Sequence, residues 1–85
     1  MASEVFANWA SAEGTVTTET TVSLAHRVGN VVITNDDLLN DLSFKFRSSE
    51  TFSTLKPKET IRITIRTRQV IIDGASVPYR IWGTG

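Results

Sequence analysis

The chain has 85 residues, no cysteine, one histidine and a formal charge of zero. A chain this short builds a thin core. The absence of cysteine excludes disulfides and thiolate metal sites, and His26 alone leaves an imidazole cluster without a second member. Contacts with other subunits are the support left to such a domain, so a multi-subunit assembly is expected.

The neutral charge is unevenly distributed. Residues 1–41 hold six acids and one base, Arg27, and carry −5; residues 42–85 hold eight bases and three acids and carry +5. Such segregation can be satisfied inside one sheet or between copies. No segment reaches a transmembrane length. The opening "MASEVFANWASAEG" lacks a basic start and an apolar run, so no signal peptide is expected and the chain is taken to begin in a cytoplasm.

Residues 1–14 are expected to form an N-terminal arm or a short helical turn with Val5, Phe6 and Trp9 as its apolar groups, ending at Gly14. The domain proper is placed at 15–85. "TVTTETTVSLAHRV" (15–28) is rich in β-branched residues, with Val16, Val22, Leu24 and His26 on one parity. It reads as one strand, with an interruption near Thr20 left open, closed by a turn at Gly29-Asn30. A short strand follows at 31–35. "NDDLLND" reads as a turn, or one helical turn, with Leu38 and Leu39 tucked inside.

Leu42, Phe44 and Phe46 alternate with Ser43, Lys45 and Arg47, which predicts a strand with one apolar face. "RSSE" is a turn, "TFSTL" a short strand, and "KPKE" a second turn in which Pro57 fixes φ and lacks an N–H. From Thr60, Ile61, Ile63 and Ile65 alternate with Arg62, Thr64 and Arg66, and Arg68 continues the charged set. Asp73-Gly74 is a hairpin-turn signal. "VPYRIW" closes the chain as a strand, with Val77, Tyr79 and Ile81 on one face and Pro78, Arg80 and Trp82 on the other. Pro78 predicts an edge position or a bulge. Six to seven short strands predict an all-β fold: a small β-sandwich with immunoglobulin-like or jelly-roll-like connections.

Chemistry has little to build on. His26 lies on the apolar parity of its strand and reads as a partly buried ring with a satisfied nitrogen. Asp36, Asp37 and Asp41 lack the glycine and spacing of an EF-hand loop. Phosphate-cradling and dinucleotide-binding fingerprints are absent, so no cofactor, no metal site and no enzymatic activity is expected. Lys45, Arg47, Arg62, Arg66 and Arg68, with Trp82 for stacking, have the composition of a single-stranded nucleic-acid platform. Overall neutrality argues against that and favours a solvated face whose arginines meet carboxylates. Trp9 and Trp82 are the residue type enriched at interface hot spots.

The run "NVVITNDDLLNDLSFKF...TFSTLKPKETIRI" followed by "VPYRIWGTG" resembles the small β-sandwich structural proteins of tailed bacteriophages. The features are the turn of Leu55, Pro57, Glu59 and Thr60 and the closing strand with Tyr79, Arg80 and Trp82. The resemblance spans residues 30–85. It implies a virion component, such as a capsid decoration protein or a tail or connector piece, assembled in a bacterial cytoplasm. Its partners would be further copies of itself and other virion proteins, with nucleic acid and membrane not among them. The residues expected to meet partners are Val5, Phe6, Trp9, Arg62, Arg66, Arg68, Arg80 and Trp82. Two other readings stand beside this one. One is an immunoglobulin-like module that binds a carbohydrate or a peptide through Trp82; the other is a single-strand binder on the arginine face.

Overall fold

The computed structural model describes residues 10–85. They form an all-β domain of six antiparallel strands: β1 (Ala10–Val16), β2 (Thr20–Asn35), β3 (Leu42–Lys45), β4 (Ser53–Leu55), β5 (Thr60–Asp73) and β6 (Val77–Thr84). All six belong to one curled sheet in the order β1-β6-β2-β5-β3-β4. Val5, Phe6 and Trp9 lie outside the described residues. Ala10–Gly14, the last residues of the expected arm, are the first part of β1 and pair with β6.

The frame is the long pair β2–β5. Its register breaks near the middle: Ser23 faces Gln69 and Val28 faces Thr67, so five steps along β2 match only two along β5. The extra residues bulge, and a bulge bends a strand and sharpens its twist. Gly29-Asn30 is therefore no turn. It lies inside a continuous β2, because the pairing resumes at Asn30–Thr64 and runs on to Thr34–Thr60. Only a nonlocal partner could reveal that.

Beyond the bend the two halves of the pair carry different neighbours. The second half of β2 takes β6, which takes β1. The second half of β5 takes β3, which takes β4. The curl brings both ends of β5 together. Asn35 donates its backbone N–H to Glu59 O at 2.9 Å, beside the start of β5. Its side-chain Nδ2 reaches Leu55 O at 3.0 Å on β4, which leads through β3 to Asp73 at the end of β5. We call this end of the molecule the tip and the bulged end the bend.

One core fills the curl. Val31, Ile33, Leu42, Val70, Ile72 and Val77 are fully buried, joined by Phe44, Leu55 and Ile81. Phe44 and Phe46 meet edge to face at 6.1 Å, a favoured aromatic geometry. The expected parity of β3 and of β6 holds, with Leu42, Phe44 and Phe46, and Val77 and Ile81, turned inward. Ile61, Ile63 and Ile65 are only half-buried and pack on the margin of the core. Val70, Ile71 and Ile72 are buried in succession, as a strand covered on both faces requires.

Three expectations at the tip are corrected. Asp73-Gly74 makes no hairpin: β5 and β6 are not neighbours, since β2 lies between them. Residues 74–76, with Ser76 at φ 64°, instead carry the chain across from β3's side to β1's side. Residues 36–41 contain no helical turn. Leu38 and Leu39 are not tucked in; they are 72% and 85% exposed. Asn35 takes the interior instead, at 0% exposure. A buried amide must find partners, and this one has three. It donates to Asn40 O and Leu55 O, and its Oδ1 accepts the Asp37 N–H at 2.9 Å.

Candidate partner-binding surfaces

The alternating arginines of β5 part company at the bend. Arg62 lies on the flat outer face, in a cross-strand row formed by Ser11, Trp82, Val32 and Arg62. Val32 is an apolar residue on a polar face, yet only 6% exposed. Trp82 is half-buried in the same row, and a shallow pocket of about 240 Å³ lies between Asn30, Val32, Arg62, Trp82 and Thr84. The neighbouring rows are tied by hydroxyl and amide groups: Thr34 and Thr60 hydroxyls lie 2.9 Å apart, and Thr64 Oγ1 donates to Asn30 Oδ1 at 3.1 Å.

Arg66 and Arg68 lie elsewhere. They line a groove of about 490 Å³ at the bend, with Arg27, Phe46, Arg47, Thr67 and Gln69. Four arginines thus line one groove from three segments. Arg27 is delivered by the bulge of β2, Arg47 by the turn after β3, and Arg66 and Arg68 by β5. The groove is firmly built: Gln69 Nε2 donates to Phe46 O at 3.2 Å, joining β5 to the end of β3. Glu50 shapes the turn by accepting from the Phe46 and Arg47 N–H groups at 2.9 and 3.1 Å. Those backbone donors hold its carboxyl below the usual range. Glu50 also stands 4.0 Å from Arg47. Arg68 donates weakly to Ala25 O at 3.4 Å. Among the described residues, no carboxylate within 4.0 Å answers Arg27, Arg66 or Arg68.

Arg80 is engaged within the fold. Its Nε and Nη2 donate to Asp36 Oδ2 and Oδ1 at 2.8 and 2.9 Å, a two-pronged pair. This holds the Asp36 carboxyl below its ordinary value of 3.8, with Lys58 adding to the effect and partial burial opposing it. The "VPYRIW" strand, for which Pro78 predicts an edge position or a bulge, is flanked on both sides by β1 and β2 from Tyr79 to Gly83. The outer strands of the described sheet are β1 and β4. Pro78 lies one residue past the last β2 pair, Asn35–Tyr79, but its carbonyl accepts the Asp36 N–H at 3.0 Å while Thr15 of β1 faces it from the other side, so β6 is not a free edge there either.

Of the expected partner-binding residues, then, Arg66 and Arg68 share a site, Arg62 and Trp82 share a second, and Arg80 belongs to an internal ion pair. Arg27 and Arg47 complete the groove, and the exposed Leu38-Leu39 pair is a further candidate. Arg47 shares the polar parity of its segment with Lys45, which groups it with Arg66 and Arg68, whereas parity signals neither Arg27 nor the exposed leucine pair. Charge segregation along the chain places Arg47 in the basic half but leaves Arg27 and the leucines in the acidic one. Among the described residues no three His, Asp or Glu side chains gather into a metal-binding group. No protein-family model, curated protein or solved structure matches the chain.

Proposed function

We propose that this protein is a non-enzymatic assembly subunit that binds further copies of itself within a larger structure. The observation that carries this reading is polar charge segregation in a chain with no net charge. The bend gathers Arg27, Arg47, Arg66 and Arg68 against one carboxylate, Glu50. The tip gathers Glu19, Asp36, Asp37, Asp41, Glu59 and Asp73 with Lys56, Lys58 and Arg80. A neutral molecule whose opposite charges lie at opposite ends is complementary to its own copies. Contacts between unlike surfaces of identical subunits close rings or extend as filaments. In the setting suggested by the resemblance to phage structural proteins, the larger structure is a virion, with other virion proteins as further partners and the host bacterial cytoplasm as the place of assembly.

Light scattering on a concentration series at low and at high salt tests the reading. Mass that rises with concentration at low salt and falls back toward a single chain at high salt supports it, because screening weakens charge-driven contacts. A monomer at every concentration and salt would overturn it.

A further inference from the structure

We infer that the loop Asp37-Leu38-Leu39-Asn40-Asp41 of one copy docks into the arginine groove at the bend of the next. The inference rests on the self-association reading above and names the two surfaces that meet.

The loop is shaped as a ligand. Leu38 and Leu39 are the only large hydrophobic residues strongly exposed among the described residues. They are not on a slack segment. The Asp37 N–H donates to Asn35 Oδ1 and the Asn40 N–H to Asp37 Oδ2 at 2.7 Å. Asn40 O accepts from Asn35 Nδ2, and Asn40 Nδ2 donates to Ala75 O at 3.3 Å. Two leucines are therefore held outward by a loop anchored on a buried amide. A loop fixed in advance loses little conformational freedom on docking. Aspartates stand on both sides of the leucines, and Asp36, the third acid, is already paired with Arg80.

The groove is shaped to receive it. Its volume lies in the range of sites that take a few side chains, about 300–1,000 Å³. Four arginines line the groove with Phe46, Thr67 and Gln69, so carboxylates can meet guanidinium groups while leucine methyls meet guanidinium planes and side-chain stems. The loop of one chain cannot reach that chain's own groove. Thr60 stands at the tip and Thr67 at the bend, separated by seven residues of extended strand, roughly 23 Å at the usual rise. The contact therefore joins unlike surfaces of two copies.

A nucleic-acid strand is the rival occupant. Its phosphates would answer the arginines but leave Leu38 and Leu39 uncovered, and they would meet a chain with no net positive charge. A second copy answers both surfaces at once.

Complementation tests the proposal. Leu38→Ser/Leu39→Ser disables the loop and keeps the groove; Arg66→Glu/Arg68→Glu disables the groove and keeps the loop. All four positions are exposed, and thermal melts should match the parent. If the glutamates disturb folding, Arg66→Ser/Arg68→Ser takes their place. By sedimentation velocity, each variant alone should run as a monomer where the parent associates. Mixed in equal amounts, they should form a dimer and nothing larger, since one intact loop meets one intact groove. Two variants that associate as the parent does would overturn this contact while leaving self-association standing. A parent that stays monomeric would overturn both. A fluorescent single-stranded oligonucleotide held by the parent and lost by the groove variant, with association unchanged, would overturn the contact in favour of nucleic acid.

Discussion

The two ends of the β2–β5 pair are built on opposite terms. At the tip, polar groups are answered inside the fold. Asn35 makes three side-chain hydrogen bonds, Asp36 holds Arg80, and Glu59 caps its own turn by accepting the Lys56 N–H at 2.7 Å. At the bend, the backbone is secured by Glu50 and Gln69 while three of the groove's four arginines meet no carboxylate of the described residues. Like charges brought together oppose folding. Exposed arginines of this kind are kept in place by water or covered by another surface, and the self-association proposed above takes the second course. Polar partners within the fold are thus concentrated at the tip and arginines without a carboxylate of the described residues at the bend, while the leucine pair stands exposed at the tip.

Substitutions should separate the two ends. The largest effect is expected at the tip. Asn35→Ala strips donors from the carbonyls of Leu55 and Asn40 and an acceptor from the Asp37 N–H, and should cost about 3 kcal/mol in urea denaturation. It should also loosen the leucine loop, so association should fall with stability. Next is Gly83→Ala, which probes the frame near the bend. An added Cβ would stand 2.8 Å from the backbone oxygen of Asn30 and 2.8 Å from Val28 Cγ2, with β2 unable to yield freely. A loss of about 2 kcal/mol is expected by the same denaturation measurement.

Arg66→Ser/Arg68→Ser should change stability by less than about 0.5 kcal/mol, since both side chains are exposed and neither answers a carboxylate of the described residues. Its effect should fall on association alone. The smallest effect is on pH dependence. The carboxyl of Asp36 is depressed in the folded state, so its pairing with Arg80 stabilises above the ordinary value of 3.8 and is lost as pH falls through the lower folded value. Asp36→Asn should flatten the decline in melting temperature below that point. A decline as steep as the parent's would assign the acid sensitivity to other groups.

Local alternation made much of the fold legible. The apolar parity of Leu42, Phe44 and Phe46, and of Val77, Tyr79 and Ile81, follows from period-2 geometry and needs no knowledge of neighbours. What failed depends on which strands meet. Gly29-Asn30 and Asp73-Gly74 both carry turn chemistry, but the first is absorbed into a bulged strand and the second crosses between the two sides of the curl. The leucines at 38 and 39 were expected inside because they are apolar. The interior position went to Asn35, whose amide can answer three backbone groups at a strand end where leucine could answer none. The arginine row divided for the same reason. Arg62 and Arg66 share a parity, but the bulge opposite Thr67 turns the later part of β5 toward Arg27 and Arg47.

The contact between loop and groove can be read most directly by cysteine pairing, because the natural chain has no cysteine to interfere. Chains carrying Leu39→Cys and chains carrying Arg66→Cys would be mixed in equal amounts under mild oxidation, and the disulfide-linked dimers separated by mass. The account predicts that the mixed Leu39→Cys to Arg66→Cys dimer dominates and that each variant alone cross-links poorly. A homodimer of either variant in excess of the mixed species, or the statistical mixture of random collision, would contradict it.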